Sequence, residues 1–200
     1  MKKNIILIGT HNEGKFKELS NLLPKKLKRL NPNQLGIKSP KETGHSFKAN
    51  SLLKSIYFSK KSKLTVISDD SGLSINCLSG NPGIYSARWA KKYGSFKKAM
   101  QKILAMISDA KLKKNNKIIK AKFVCSLSYK KYGKKAINVN GIIYGRISNK
   151  IIGTNGFGYD PIFIPNGFSK TFGEMAKRKK MKVDHRYLAF EKLVKKIKTF

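Results

Sequence analysis

Apolar positions recur along the chain with two different periods, and these periods predict its strands and helices. Five short apolar runs bounded by polar or turn residues are typical of strands; they cover residues 4–9, 64–68, 121–129, 137–147 and 159–164. Four segments place apolar residues three and four apart, as on one face of a helix; they cover residues 15–23, 46–60, 95–107 and 186–198. Strands and helices alternate early, and a hairpin with a turn at Gly133 follows later. This order predicts an α/β protein with a mixed sheet.

Length and composition favour one globular domain. The 200 residues are 40% hydrophobic and show no repeat or clear linker, so we expect a single domain over residues 1–200. The apolar run after Lys2-Lys3 ends at Gly9, too short for a signal peptide, and no later stretch could span a bilayer. Cys77 and Cys125 lack metal-ligand spacing and are expected to be reduced core thiols. We therefore expect a cytoplasmic protein without a membrane partner.

The charge of the chain raises a rival class, a basic nucleic-acid-binding module. There are 44 basic residues against 10 acidic ones, a net charge of +34. Only five of the 44 are arginines, although base readout and bidentate phosphate recognition favour arginine. The lysines are also spread along the whole chain, as an AT-rich coding sequence would produce. We therefore expect at most non-specific nucleic-acid binding, together with attraction of nucleotide triphosphates.

Acidic residues are so few that their positions are informative. Six of the ten lie in short polar or Gly-rich segments: Glu42, Asp69, Asp70, Asp160, Glu174 and Asp184. In a chain with so few acids, the carboxylates beside glycines are the first candidates for chemistry.

The first candidate motif is the turn Thr10-His11-Asn12-Glu13-Gly14-Lys15, between a predicted strand and a predicted helix. Backbone N–H groups at a helix N-terminus favour phosphate, Gly14 permits a close approach, and Lys15 adds a positive charge. The spacing is not that of a P-loop. An ordinary turn with a solvated lysine explains the same residues.

The second motif begins at Glu42, just before Gly44. Asn50 and Lys54 follow four residues apart on a predicted helix that Ser46 is expected to cap. The carboxylate, amide and ammonium could form a face for metal and phosphate. A capped helix with a surface lysine is the alternative.

The third motif is the pair Asp69-Asp70, which follows the predicted strand over residues 64–68 and precedes Gly72. Adjacent carboxylates at the end of a buried strand can hold Mg²⁺ or position a water. Because neighbouring carboxylates repel each other in a dry site, one is expected to bind a cation or to have a raised pKa. A structural turn is the alternative.

The last two motifs are a glycine-rich loop, residues 153–161, and a basic run followed by Asp184-His185-Arg186. Three glycines around Phe157 form a loop that could lay the ring against a base. A β-turn with a core phenylalanine explains the loop equally well. A solvated face is the ordinary explanation of the basic run at residues 177–180.

Together the motifs closely resemble the HAM1/RdgB family of inosine/xanthosine triphosphate pyrophosphatases, over essentially the whole chain. The most specific strings are Asp69-Asp70-Ser71-Gly72-Leu73, Pro82-Gly83-Ile84-Tyr85-Ser86-Ala87-Arg88 and Gly156-Phe157-Gly158-Tyr159-Asp160-Pro161. The matching positions outside them are Thr10, Asn12, Lys15, Glu42-Thr43-Gly44, Phe47, Gly80-Asn81 and His185-Arg186. All of these occur in the family's order.

The resemblance implies a fold, an assembly and a reaction. The family has an elongated mixed α/β sheet with helices, two lobes around a deep nucleotide-binding cleft, and commonly a homodimer. Its members act on purine nucleoside triphosphates such as ITP, dITP and XTP. They cleave between the α- and β-phosphates, which keeps deaminated purines out of DNA and RNA. The resemblance therefore implies a Mg²⁺-dependent nucleoside-triphosphate pyrophosphatase.

The resemblance also assigns roles to residues of this chain. Glu42 and Asp70 would bind Mg²⁺, Asp70 would in addition be the catalytic general base, and Asp69 would support them. The residues assigned to the triphosphate are Thr10, His11, Asn12, Glu13, Gly14, Lys15, Lys54 and Ser71. Those assigned to the base are Phe157, Gly158, Tyr159, Asp160, Lys180, His185 and Arg186. Donors such as His185 and Arg186 favour a 6-oxo over a 6-amino purine.

Three departures from the family pattern bear on the site. Ala49-Asn50-Ser51 stands where Glu-Asn-Ala is common, so one carboxylate near the expected metal is missing. Asp184 replaces a usual serine before His185, which adds a negative charge near the base residues. The run at residues 177–180 is more basic than usual, so Lys180 is chosen over Lys177 and Lys179 by its spacing from His185. The related Maf-type pyrophosphatases are a second alternative, but their signature strings do not match this chain.

Overall fold

The computed structural model describes residues 4–114, 118–197 and 200. Its strands are β1 (Ile5–Ile8), β2 (Lys28–Leu30), β3 (Thr65–Ile75), β4 (Lys120–Lys130), β5 (Ile137–Ile147) and β6 (Phe163–Pro165). Its α-helices are α1 (Glu13–Leu22), α2 (Phe47–Ser62), α3 (Ser86–Lys92), α4 (Phe96–Lys114), α5 (Lys177–Lys180) and α6 (His185–Lys196). The described helices include none that is long and apolar enough to cross a membrane.

The strands form one mixed sheet in the order β2-β1-β3-β4-β5-β6. Strand β1 is parallel to both β2 and β3, and α1 makes the crossover from β1 to β2 that a parallel pair requires. Strands β5 and β6 are antiparallel. The predicted mixed α/β sheet is therefore confirmed.

Alternation along β1 and β3 sends neighbouring side chains to opposite faces of the sheet. Ile6, Ile8 and Ile67 belong to a core cluster that also contains apolar residues of α1 and α6. Leu7 and Val66 belong to a separate cluster with Phe58 of α2 and Leu64. The two faces of these strands are thus covered by different helices.

The chain divides into two compact units, each built from separate segments. Unit 1 comprises residues 1–70, 125–141 and 185–200, and unit 2 comprises residues 71–124 and 142–184. The two clusters described above form the core of unit 1. Unit 2 has its own larger cluster, made by α4, the adjoining strand segments and the aromatic residues Tyr159, Phe163 and Phe172.

Most predicted elements lie where the apolar pattern placed them. Ser46 caps α2 as predicted, because its hydroxyl accepts the Ala49 N–H at 3.1 Å. Helix α1 begins at Glu13, two residues before the predicted start. The segment over residues 159–164 is strand only in its last part, because a 3₁₀ turn occupies Asp160–Ile162.

The prediction that Asp69-Asp70 follows a strand was wrong. Strand β3 continues through both aspartates to Ile75, so they lie in the middle of an 11-residue strand. Two consecutive charged residues usually mark the end of a buried strand. Here the strand continues, because both carboxylates have side-chain partners that permit their burial. Helix α4 likewise extends beyond its predicted end at residue 107 to Lys114.

Candidate active site

The Thr10–Lys15 turn joins β1 to α1 in unit 1. Asn12 is the N-cap of α1, because its Oδ1 accepts the Lys15 backbone N–H at 2.9 Å. The His11 ring has its Nε2 3.1 Å from the Ile37 carbonyl oxygen and its Nδ1 2.6 Å from the Ser39 hydroxyl. Glu13 is exposed and Gly14 half-buried at the start of the helix. The turn therefore presents the positive end of the α1 dipole on a backbone that its own side chains hold in place.

Asp69 and Asp70 leave β3 on opposite faces because they are neighbours in a strand. The Asp69 Oδ2 atom lies 3.2 Å from Lys15 Nζ and 3.2 Å from Arg186 Nε. The Arg186 guanidinium also forms an ion pair with Glu18 of α1. All four side chains lie on the face covered by α1 and α6. Asp69, with no exposed surface, therefore ties the two helices to the sheet.

Asp70 belongs to a second set of contacts, on the face covered by α2. Its Oδ2 accepts a hydrogen bond from Asn50 Nδ2 at 3.1 Å, and its Oδ1 lies 3.5 Å from Lys54 Nζ. The same ammonium is 2.6 Å from Glu42 Oε1. Asn50 is oriented in turn by the Gly44 N–H, which donates to its Oδ1 at 2.8 Å. One turn of α2 thus supplies both groups that hold the Asp70 carboxylate.

Burial and neighbouring charges shift two pKa values in this cluster. Burial raises the pKa of Asp70 above its usual range, with Glu42 and Asp69 adding to the effect and Lys54 and Lys15 opposing it. Burial by itself would lower the pKa of Lys54, but the negative charges of Asp70, Asp69 and Glu42 outweigh it and raise that pKa. The expectation of one aspartate with a raised pKa agrees with this arrangement.

Glu42 and Asp70 have the chemistry expected of Mg²⁺ ligands. Both reach the same ammonium group, so one cation can contact both carboxylates. Mg²⁺ is commonly held by one or two carboxylates, with waters and substrate phosphates completing its octahedron. Among the described residues, no group of three or more His, Cys, Asp and Glu is arranged to hold a metal ion. A two-carboxylate site that releases Lys54 towards an anion fits these residues.

The glycine-rich loop of unit 2 is ordered around Asp160. Its Oδ2 accepts the Phe157 N–H at 2.8 Å and the Lys180 ammonium at 2.6 Å. Gly156 has φ +75°, and a Cβ there would collide with the Asp160 carboxylate, so the close approach requires glycine. The Lys180 ammonium also lies 5.3 Å from the ring centroid of Phe157. Asp160 and Lys180 therefore set the position of a half-buried phenylalanine.

Three of the specific sequence strings meet at Ser86 in unit 2. The Ser86 hydroxyl accepts the Leu73 N–H at 3.1 Å and donates to the Gly83 carbonyl at 2.7 Å. The Tyr159 hydroxyl donates to the Ser86 carbonyl at 2.9 Å. Burial raises the pKa of Tyr159, so it remains a donor at neutral pH. Hydrogen bonds to Ser86 thus hold the three strings together, which gives them a structural role apart from any part in the chemistry.

The candidate residues are divided between the two units. The set of unit 1 comprises Thr10, His11, Asn12, Glu13, Gly14, Lys15, Glu42, Lys54, Asp70, His185 and Arg186. The set of unit 2 comprises Ser71, Phe157, Gly158, Tyr159, Asp160 and Lys180. His185 and Arg186 are buried at the start of α6, Lys180 is buried in α5, and Ser71 is half-buried in β3 beside Asp70 in sequence.

The sequence did not predict the structural roles of three residues, although it placed Asn50 on a possible face for metal and phosphate. Glu18 pairs with Arg186, Asn50 orients Asp70, and Ser86 joins the three strings. One signal for Glu18 was available, because it is an acid next to Leu19 on the apolar side of a predicted helix. The other two roles depend on contacts between segments far apart in the chain.

Comparisons with known proteins agree with this fold and identify the family. The Ham1 family matches residues 6–196. The dITP/XTP pyrophosphatase of Caulobacter vibrioides is 38% identical over 188 residues, which cover 94% of this chain and 95% of that protein. A HAM1 protein from Coxiella burnetii has a similar structure, with a TM-score of 0.82 and 30% identity over 94% of this chain and 95% of the other. The Ham1 protein of Staphylococcus aureus gives a TM-score of 0.80 and 34% identity, at 94% and 95% coverage.

This chain therefore combines paired acids and lysines on a mixed α/β sheet with similarity to Ham1 proteins along nearly its whole length. The protein belongs to the Ham1 family.

Proposed function

We propose that this chain hydrolyses non-standard purine nucleoside triphosphates, such as dITP, ITP and XTP, to the monophosphate and pyrophosphate. The observation that carries the proposal is the Glu42–Lys54–Asp70 cluster, in which Lys54 and Asp70 are buried and Glu42 is half-buried, in a chain that aligns over 94% of its length with a dITP/XTP pyrophosphatase. Carboxylates and an ammonium in contact are suited to exchange partners when a triphosphate and its cation bind. The rival nucleic-acid-binding class would leave this cluster unexplained.

Asp70 is the proposed general base. Water attacks the α-phosphorus, Asp70 accepts the proton, and the bond from that phosphorus to the oxygen bridging the α- and β-phosphates breaks. Pyrophosphate then leaves, and the monophosphate carries the new P–O bond. A raised pKa brings Asp70 closer to the pH at which a base accepts a proton efficiently. Asn50, which donates to Oδ2, keeps the carboxylate in one orientation.

Lys54 and Lys15 are proposed to hold the phosphate chain together with the amides that begin α1. Each ammonium is paired with a carboxylate: Lys54 Nζ lies 2.6 Å from Glu42 Oε1, and Lys15 Nζ lies 3.2 Å from Asp69 Oδ2. A triphosphate offers four negative charges in competition for them. The turn over residues 10–15 adds backbone N–H groups at a helix N-terminus, which favours phosphate without requiring a further cation.

Glu42 and Asp70 are the proposed ligands of Mg²⁺. When bound, Mg²⁺ neutralises charge on the phosphates and helps to orient them for in-line attack. The two carboxylates contribute hard oxygen ligands, and Lys54 is released from them to contact phosphate. The carboxylate missing at Ala49 leaves this pair as the proposed protein contribution.

For the purine base we propose stacking on Phe157, in the loop held by Asp160 and Lys180. The loop geometry within unit 2 supports this role, because backbone and side-chain contacts at Asp160 orient the ring. His185 and Arg186 are proposed to favour a 6-oxo purine, with Gly158 and Tyr159 shaping the loop. The Arg186 contacts with Glu18 and Asp69 support an additional role for Arg186 in positioning β3.

The proposed function is tested by measuring pyrophosphate release from dITP, XTP, dGTP and dATP, each with Mg²⁺ and with excess EDTA. We expect dITP and XTP to be cleaved much faster than dGTP and dATP, and only with the divalent cation. Equal rates on all four nucleotides would contradict the substrate class. Full turnover in EDTA would contradict the roles of Glu42 and Asp70. A homodimer stays a prediction from the resemblance, and a cytoplasmic location stays a prediction from the composition and apolar pattern of the chain.

A further inference from the structure

A second set of charged side chains in unit 1 surrounds a pocket that the proposed reaction does not use. Its volume is about 290 Å³, and it lies at the β4–β5 connection and the end of α6. The lining residues are Tyr129, Lys131, Lys134, Lys135, Ile137, Lys196 and Ile197. Four of these seven are lysines, and none of the seven is acidic. A turn closed by the Lys134 N–H and the Lys131 carbonyl, at 3.1 Å, gives the connection a defined shape.

Tyr129 is the unusual residue in this lining, because its hydroxyl is buried. The residue is 2% exposed, and its ring packs edge-on against Phe200 with centroids 5.8 Å apart. Its buried oxygen has no hydrogen-bond partner among the described residues. Buried hydroxyls are normally paired because leaving one without a partner is costly. Burial also raises the pKa of Tyr129, so the group stays protonated and can donate.

Electrostatics decide which kind of partner the pocket favours. Helix α6 ends at Lys196, and the carbonyl end of a helix carries about half a negative charge, which repels anions. The four lysines bring four positive charges to the same place, so the cationic side chains prevail. An acceptor with several negative charges would satisfy both the lysines and the Tyr129 hydroxyl.

We propose that this pocket binds a phosphate-bearing anion of about the size of inorganic pyrophosphate, with the Tyr129 hydroxyl donating to a phosphate oxygen. The lysines surround the remaining oxygens as point charges. A volume near 290 Å³ is at the lower end of small-ligand sites and suits two or three phosphate groups. The site is separate from Glu42, Lys54 and Asp70, and its existence does not depend on the proposed reaction.

A neighbouring pocket favours a ligand with several linked phosphates over a single phosphate ion. It shares Lys196 with the first, has a volume of about 510 Å³, and is lined by Lys48, Asn138, Val139, Asn140, Lys192, Lys195 and Lys196. The Lys192 ammonium already donates to the Asn140 carbonyl at 3.0 Å, so that side chain lies along the pocket wall. Inorganic tripolyphosphate, which is longer than pyrophosphate, is therefore expected to bind more tightly.

The main experiment is a calorimetric titration of the full chain with phosphate, pyrophosphate and tripolyphosphate in EDTA at low salt. Lys134→Gln/Lys135→Gln removes two charges from the pocket. Lys97→Gln/Lys98→Gln removes two from exposed neighbouring positions of unit 2 and is the matched control. We expect the pocket pair to weaken pyrophosphate binding about tenfold and the control pair less than about twofold. Equal losses in the two variants would overturn the proposal.

Tyr129→Phe tests the hydroxyl alone. We expect about a tenfold loss of pyrophosphate affinity, an unchanged or higher melting temperature, and an unchanged rate of dITP cleavage. Unchanged affinity with a lower melting temperature would mean that the hydroxyl has an internal structural partner, and the proposal would be wrong. Binding of a single-stranded oligonucleotide without any binding of pyrophosphate or tripolyphosphate would also overturn it. If dITP is not cleaved at all, the titrations still decide the proposal, because they use no substrate.

Discussion

The two units each bury an acid–lysine pair, but the pairs have different surroundings. In unit 2, Lys180 and Asp160 are paired at 2.6 Å, and the ammonium lies 5.3 Å from the ring centroid of Phe157 and 5.5 Å from that of Phe172. In unit 1, the contacts around β3 join four carboxylates to three cations. The carboxylates are Glu18, Glu42, Asp69 and Asp70, and the cations are Lys15, Lys54 and Arg186.

This difference separates a pair suited to hold a loop from a cluster suited to exchange partners. A balanced pair among aromatic rings has little reason to bind another ion, and breaking it leaves a buried charge. The described contacts of the cluster of unit 1 join four carboxylates to three cations, in a chain whose net charge is +34. An added cation is favoured there, and lysines released by it can turn to an anion. We expect chemistry in the uneven cluster and positioning in the balanced pair.

The largest expected effect is on catalysis in unit 1. Asp70→Asn keeps the shape of the side chain but removes its charge and basicity, so kcat for dITP should fall by at least about 10²-fold. Glu42→Gln should recover part of its activity at high Mg²⁺, because only metal affinity is lost, whereas Asp70→Asn should not. Steady-state kinetics over a range of Mg²⁺ concentrations measure both. A near-normal rate for Asp70→Asn would move the base role to Asp69.

The next effect is on stability in unit 2. Lys180→Met leaves the Asp160 carboxylate buried without this cation, so we expect a loss of about 3–5 kcal/mol in the free energy of unfolding, measured in urea. Lys17→Met breaks an exposed pair with Glu13 at 3.9 Å and should change stability by less than about 0.5 kcal/mol. If the two variants are equally stable, Lys180 acts only on substrate.

A smaller effect, on substrate binding, is expected for Phe157, the ring that the Asp160–Lys180 pair positions. Phe157→Ala removes stacking worth about 1–3 kcal/mol, which corresponds to roughly a 5- to 150-fold rise in KM. Because stacking does not read the exocyclic groups, dITP, XTP and dGTP should be affected by similar factors. Measured KM values that rise for one purine only would show that Phe157 selects the base directly.

The smallest effect concerns the charge of Asp69 on its neighbour. Asp69 helps to raise the pKa of Asp70, so Asp69→Asn should lower that pKa. Titration of ¹³C-labelled carboxylates in the metal-free protein measures the shift. Because the pKa of Asp70 is raised in the folded protein, the protonated carboxyl stabilises the fold at pH values below the ordinary pKa of an aspartate. This contribution is lost as the pH rises through the folded-state pKa of Asp70. An upward shift in Asp69→Asn would contradict the placement of the two charges.

The family, most element positions and the candidate acids could be predicted from the order of residues along the chain. Local rules were sufficient for these, as at Ser46, where an N-cap is recognised from the residue and the apolar periodicity that follows it. The length of β3 could not be obtained in this way. A strand continues through Asp69 and Asp70 only when their carboxylates find partners, and local sequence does not name those partners.

Which charged side chains come into contact depends on how distant segments pack together. Arg186 reaches Asp69 across 117 positions of sequence and Glu18 across 168. Tyr159 reaches Ser86 across 73. These pairings depend on the strand order and on which helix covers each face of β3, and both result from non-local packing. The same packing places Tyr129 in a pocket lining with four lysines at the end of α6. Burial of an aromatic ring is a local tendency, whereas the surroundings of its hydroxyl depend on non-local packing.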